Sequence, residues 1–508
     1  MQFNSFIFIL CFLPLTLVFY FGLNSLGKKK LSQAFLLAMS LWFYGYFNAS
    51  YLLVICGSII VNYLLSRVFV SRPDLSDKKK KALLILGIVF NVSLIFYFKY
   101  FDFFISNINT TFGTDFVLRN IVLPLGISFF TFQQISFMVD SYRGETLDYS
   151  FLEYALFVAY FPQLVAGPIV LHSELIPQFR DEEKRKLNFE NLAKGIMLFS
   201  RGLAKKVLIA DTFGTAVDWG FSHANVFHGE EALAVYEIII VMLSYTFQIY
   251  FDFSGYSDMA TGLGSMFNFS IPMNFNSPYK ALSVADFWKR WHMTLTRFLT
   301  HYIYIPLGGN RKGKIRTYIN IMIVFLVSGI WHGANWTFIL WGVIHGLGQC
   351  FNRMMGGLYK KIMEALDKSR IGALFTWIIK AVCWAVTFAF VNVAWLLFRA
   401  DSVTQWASLL KRMTVPYYEV RTELLESFRI PKLGTLFEIL HIEHPDVSAL
   451  YFGMFSAMAL ALVLCLCFKN NYERQYKMNW RSLAFTLVIF VIGVLSLGRI
   501  STFLYFNF

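Results

Sequence analysis

The chain has 508 residues, 57% hydrophobic and 15% charged, with a net charge of +14. Apolar runs such as residues 6–23, 52–65 and 483–497 exclude an ordinary soluble core. They predict an all-α polytopic membrane protein, one integrated domain with about 11 to 15 membrane segments.

In such a chain the positive charge reports basic loops that set topology and meet anionic lipid, not nucleic acid. A basic cytoplasmic face also suits an anionic soluble substrate. The six cysteines lie mostly inside apolar runs and have no histidine partners at ligand spacing, so neither a disulfide framework nor a metal site is expected.

The first run lacks a small-residue cleavage site and is followed at once by Lys28-Lys29-Lys30, so it reads as a retained span. Those lysines and the cluster Arg67, Arg72 and Lys78 to Lys81 are expected in the cytoplasm. That places the N-terminus outside and makes 31–47 and 51–66 a hairpin. Residues 83–98 form a further span, and the aromatic, Asn-rich stretch 101–113 an interfacial one. A span ending near Asp140 carries Ser128, Thr131, Gln133 and Gln134 within an apolar run. These fit helix–helix hydrogen bonding or the lining of a pocket. Pro162 and Gly167-Pro168 break the next helix, which lipid tolerates only where the backbone is packed or lines a cavity.

Lys205 and Lys206 mark another inside end, and the span 232–251 runs into Tyr250-Phe-Asp-Phe-Ser-Gly-Tyr-Ser-Asp. Asp252 and Asp258 read either as caps around a turn at Gly255 or as a polar lining that orients a reacting group. From Ser283 an amphipathic helix follows, with Ser283 and Asp286 resembling a capping box. Phe287, Trp288, Trp291, Leu295 and Phe298 share one face; Lys289, Arg290 and Arg297 fall away from it. His292 lies at the edge of the apolar face, so the helix is expected along the cytoplasmic interface with one histidine turned inward.

Arg311, Lys312, Lys314 and Arg316 hold the following loop inside. The chain then climbs to His332 and returns to a second basic stretch, 360–370. The apolar run 317–330 is about 14 residues, ~21 Å as a helix against a hydrocarbon core of ~30 Å. Length therefore predicts that His332 and Asn335 end inside the membrane, where an ionisable group is a functional suspect. A histidine bonded to a carbonyl at a helical turn is the alternative. Residues 371–398 cross outward, and 400–447, lacking a basic excess, are expected outside. The last spans, about 450–468 and 482–499, flank Lys469, Arg474, Lys477 and Arg481, which puts the C-terminus outside.

Trp331-His-Gly-Ala-Asn-Trp-Thr, Trp341-Gly-Val-Ile-His-Gly, Phe287-Trp-Lys-Arg-Trp-His and Tyr304-Ile-Pro-Leu-Gly-Gly-Asn stand in one order along the chain. Together with Phe161-Pro-Gln-Leu-Val-Ala-Gly-Pro and the Asp252–Asp258 motif, they resemble the membrane-bound O-acyltransferase (MBOAT) family. The branch is similar to the bacterial alginate and peptidoglycan O-acetyltransferase membrane subunits. The likeness covers at least residues 120–350. It divides the domain into N-terminal helices (1–115), a catalytic core (116–352) and C-terminal helices with an extracytoplasmic insertion (353–508). It implies a ring of tilted helices, with interfacial and re-entrant ones, around a thinned centre.

The resemblance also implies a catalytic histidine at His332 and a second family histidine at His292. Lys289 stands where relatives often carry arginine, and His301 where an acid is expected. His345 fits a family pattern but reads as structural. The implied reaction moves acetyl from cytosolic acetyl-CoA, with no permanently bound cofactor, across a bacterial inner membrane to an exported or cell-wall polysaccharide. The expected partners are membrane lipids and an extracytoplasmic Ser-His-Asp acetyltransferase. His332 would be the general base, and Asn335 would donate to the oxyanion or fix the imidazole tautomer. Trp331, Trp336, Trp291, Asp252 and Ser254 join as substrate-binding candidates, and Lys289 and Arg290 face the coenzyme A phosphates. Tyr505 is a candidate outer acyl relay, or an aromatic interface anchor. D-alanyl transfer from a carrier protein to teichoic acid and a non-enzymatic transporter are the competing functions.

Overall fold

Lipid offers the backbone no hydrogen bonds, so each apolar run must close its own ladder, and here each does so as a helix. The computed structural model describes every residue except 73, 147, 227–231, 368–371, 475, 499–502 and 505–508. Tyr505 and the end of the 360–370 basic stretch therefore lie outside the described residues. Among those described there is no strand, and seven helices are long and apolar enough to cross a membrane. Trp480–Leu495 is a shorter apolar helix, and Lys29–Gly45 and Ile127–Arg143 are 17-residue helices packed among the long ones.

Several elements differ from the sequence expectation. The stretch 101–113 is no separate interfacial segment. It continues the preceding helix through a π turn, Phe96–Tyr100, so that Asp77–Phe112 runs for 36 residues. Asp252 and Asp258 cap nothing, because Val235–Met266 is one unbroken helix of 32 residues and Gly255 lies inside it. The helix before His332 is Lys314–His332, whose 19 residues span ~28 Å. Its first, basic turn is part of the helix, so counting apolar residues alone understates its length. The depth of His332 rests on its packing, not on a helix too short to cross.

Gly255 matters for a different reason. A Cβ there would meet the Gly202 carbonyl oxygen at 2.8 Å, and one on Gly202 would meet the Gly255 oxygen at 2.5 Å. Gly195 and Gly262 repeat the relation one turn pair along, at 2.6 and 2.7 Å from each other's carbonyl oxygens. These small-residue pairs let Phe189–Ala204 lie directly on the central helix Val235–Met266.

That close approach delivers Lys205 and Lys206, on the π turn Lys205–Ala210, to the two aspartates. Lys206 Nζ lies 2.6 Å from Asp252 and 2.9 Å from Asp211, and Lys205 Nζ lies 2.7 Å from Asp258. Both aromatic ends of the described chain join the same helix. Tyr256 stacks on Phe3 at 4.8 Å and meets Phe503 edge-on at 4.5 Å, while the Leu504 backbone N–H donates to Asp252.

Candidate functional site

The structure breaks the chain at each of the two histidines singled out in the sequence. Lys314–His332 stops at His332, and Trp336–Asp367 begins three residues after Gly333. Gly333 has no room for a side chain, since a Cβ there would lie 2.1 Å from the Phe338 ring. Asn335 sits in this gap. Its Oδ1 accepts from Thr337 N–H at 3.0 Å and its Nδ2 donates to the Asp401 carbonyl at 2.9 Å. Both ends of the amide thus start the returning helix and tie it to the 399–401 corner, and Asn335 is not one helical turn after His332.

The amphipathic helix expected over 283–302 is two helices, Val284–Arg290 and Met293–Leu299, followed by the π turn Thr300–Tyr304. Trp291 is extended and His292 takes a left-handed conformation, φ +44°. The cause is the neighbouring segment. Arg290 O accepts from Asn276 N–H and Met293 N–H donates to Asn274 O, so main chain from 274–276 replaces the helical ladder. His292 is consequently not at the edge of a face but wholly enclosed. Its ring meets Phe253 edge-on at 4.8 Å and Trp331 at 6.1 Å.

His332 is 3% exposed and stands in an aromatic wall. Trp331, Trp341 and Phe398 rings surround it at 4.9, 5.0 and 5.2 Å between centroids. Trp331 links the two histidines and is fixed in turn, donating its indole N–H to Ser128 O at 3.3 Å and stacking on Phe132 at 5.2 Å. Trp291 packs on Phe287 and on Trp395, at 5.5 and 4.8 Å. The arrangement is an aromatic enclosure in which both imidazoles meet one indole.

The remaining candidates spread out. Trp336 is 56% exposed and donates to Asn107, away from His332. Asp252 is held by Lys206, and Ser254 accepts from Lys205 at 3.4 Å. Lys289 is exposed, Arg290 pairs with Asp286 at 2.9 Å, and Arg297 makes a two-pronged pair with Glu174 at 2.5 and 2.8 Å. His301 is exposed on the π turn. His345 is enclosed, and its Nδ1 accepts the Trp288 indole N–H at 3.1 Å, a packing role. Gln134 bonds across helices to Ser58 and Asn62.

Two features escaped the sequence reading. Lys99 Nζ donates to the carbonyls of Trp331 and His332 at 2.7 and 3.0 Å, and Tyr100 donates to Ile330 O. A cation therefore caps the C-terminal end of the His332 helix, where the helix dipole favours positive charge. The signal was present, because Lys99 is the lone cation between Lys81 and Arg119. Trp341 is the second. Its indole N–H is buried with no hydrogen-bond acceptor among the described residues, and its ring stands edge-on to His332.

Comparison with known proteins shows the family. The profile of the MBOAT, membrane-bound O-acyltransferase family, matches residues 9–398. The chain is 38% identical to a peptidoglycan O-acetyltransferase of Helicobacter pylori, across 100% of this chain and 97% of that protein. It is 37% identical to a probable alginate O-acetylase AlgI of Pseudomonas aeruginosa, over 79% of this chain and 73% of that one. A teichoic acid D-alanyltransferase of Streptococcus thermophilus matches at 26% identity over 49% of this chain and 60% of its own.

Proposed function

This chain belongs to the membrane-bound O-acyltransferase family, and from that premise we propose that it transfers acetyl from cytosolic acetyl-CoA for O-acetylation of an exported or cell-wall polysaccharide. It is a multi-pass membrane acyltransferase. The acetyl assignment draws on the relatives that match most of the chain, whose names are O-acetylating, whereas the D-alanyl relative matches under half of it. We assign it to a bacterial inner membrane, with an extracytoplasmic acetyltransferase partner, and the distribution of basic loops supports the 400–447 segment and both termini on that outer side.

The observation that carries the mechanism is His332 enclosed at a helix end, with His292 across Trp331. An acceptor hydroxyl gives its proton to His332 as its oxygen attacks the thioester carbonyl. The carbon–sulfur bond then breaks, the new oxygen ester remains, and the thiolate leaves with a proton returned from the imidazolium. The tetrahedral oxyanion needs a donor. Asn335 has both amide ends engaged, so the Trp341 N–H is the donor we assign. His292 faces the thioester side and assists proton transfer. Tyr505, as an outer relay, would be one acceptor hydroxyl.

The test is acetyl transfer by purified protein with radiolabelled acetyl-CoA. His332→Ala abolishes it while the protein still elutes as a folded species. Trp341→Phe lowers kcat by about a hundredfold with little change in KM, the usual loss for one oxyanion donor. Unchanged transfer in His332→Ala sinks the proposal, and an acetyl-imidazole trapped on His332 replaces the base role with a nucleophilic one.

A further inference from the structure

A cavity of about 970 Å³ opens beside the first helix and shares no residue with the enclosure around His332. It is at the upper end of the ~300–1,000 Å³ usual for ligand sites. Pro14, Leu17, Val18 and Phe21 fall on one stripe of Leu13–Ser25 and form its apolar wall, faced by Leu187 and Leu192. Val18 stays 69% exposed, so no helix among the described residues covers the stripe.

The depth of the cavity is that of one leaflet. Pro14 to Ser25 rises ~16 Å along the helix axis, about half of a ~30 Å hydrocarbon core. There the lining turns polar, with Ser25, Lys29, Glu182, Arg185 and Lys186. Leu187 and Phe189 follow this basic run directly and are exposed, as apolar residues that dip into a membrane interface are. An apolar body thus ends in a mostly cationic mouth.

Two features of the mouth call for an anion. Arg185 is nearly enclosed, with 11% of its side chain exposed. Its Nη2 donates to the Phe179 and Arg180 carbonyls at 3.1 and 2.5 Å, and its Nε is buried with no acceptor among the described residues. Glu182, the one acid of the lining, is exposed and stands 4.0 Å from it, while Lys186 turns to Glu183 at 2.5 Å. The second feature is the start of Lys29–Gly45. Lys28, Lys29 and Lys30 crowd this helix end, and no side chain caps it. The helix dipole makes that end positive, so the lysines oppose it and a phosphate there would offset both.

We propose that this cavity seats one anionic diacyl phospholipid from the leaflet on the basic side, its acyl chains along Pro14–Phe21 and its phosphodiester at the Arg185–Lys29 mouth. A free phosphate would satisfy the mouth and leave the apolar stripe uncovered. An apolar partner helix would cover the stripe and leave the Arg185 N–H without an acceptor. A phospholipid answers both ends at once, and its charge separates it from the neutral lipid that surrounds the protein. Arg185 also holds the last carbonyls of His172–Arg180, so a lipid bound to it steadies that helix.

The experiment uses the full chain in nanodiscs of phosphatidylcholine holding a trace of phosphatidylglycerol with a photoactivatable group on one acyl chain. Three proteins are illuminated and their labelled peptides sequenced: wild type, Val18→Trp, which fills the exposed stripe, and Lys29→Gln/Lys186→Gln, whose two side chains are exposed. The expected label falls on residues 13–25 and declines as unlabelled phosphatidylglycerol replaces phosphatidylcholine. It drops about tenfold or more in the lysine variant, and Val18→Trp removes it. Label that ignores the added phosphatidylglycerol or survives the lysine substitutions overturns the anionic lipid. Wild type without label on 13–25, or with a crosslinked polypeptide there in its place, overturns the site. Should either variant fail to fold, wild type decides alone: its thermal midpoint is higher with phosphatidylglycerol than in pure phosphatidylcholine, and equal midpoints overturn the proposal.

Discussion

His332 is held by a residue nearly half the chain away from it. Lys99 takes the last two carbonyls of the His332 helix, a position where a cation stabilises the helix end and fixes the direction in which the imidazole leaves it. Replacing Lys99 by Met removes both bonds. Steady-state kinetics should show kcat reduced about tenfold with KM little altered, the signature of a misplaced base. Lys99→Arg, which keeps the charge, should recover part of the loss. His332 and His292 were legible in the sequence because their motifs are local. Their true surroundings were not. Trp341 and Phe398 reach His332 from two other helices, and the Lys99 contact crosses more than two hundred residues, so no spacing rule exposes them. The left-handed φ at His292 was invisible for the same reason, because the main-chain segment 274–276 imposes it against the helical pattern.

Between elements, the closest approach is made where side chains are absent. Gly202 and Gly255 touch through each other's carbonyl oxygens, so any Cβ must drive the two helices apart. Gly202→Val should lower the thermal midpoint and cost about 1–3 kcal/mol or more, measured by fluorescence-detected unfolding; the same change at an exposed helical glycine with open space around it, Gly356, should not. A second junction is ionic. Arg180, at the end of His172–Arg180, donates to Glu153 on Phe151–Ala159 at 2.7 and 2.9 Å. These hydrogen bonds hold the Glu153 carboxyl down at about 2, against an ordinary value of 4.5. A depressed folded-state value stabilises the fold fully above 4.5 and loses that contribution as the pH falls towards about 2. Glu153→Gln should therefore unfold more readily than wild type at neutral pH, and the gap in thermal midpoints should close on acidification. A gap that persists in acid would exclude the pair as its cause. The helices themselves were readable from apolar runs. Of the two readings of the Asp252–Asp258 motif, the one with a turn at Gly255 does not hold, since glycine serves close packing as readily as bending.

Across the whole molecule, the helical membrane architecture followed from composition, but the way it closes did not. Phe3 stacks on Tyr256 and Phe503 meets it edge-on, and Leu504 N–H supplies Asp252 with a donor beside Lys206. No periodicity links positions so far apart. Phe503 is 1% exposed, and Phe503→Ala should cost about 3–5 kcal/mol of stability, seen as a lowered unfolding midpoint in detergent. An equal midpoint would mean that the aromatic clasp contributes nothing.

The clasp has a consequence for biosynthesis. Phe503 and Leu504 are made long after the helix that bears Tyr256, so that helix enters the bilayer with one flank open. Until those two residues reach it, the Asp252–Lys206 pair lacks its backbone donor, and the aromatic face is available to lipid or to a chaperone. Insertion of the spanning helices and closure of the core around them are therefore separate events.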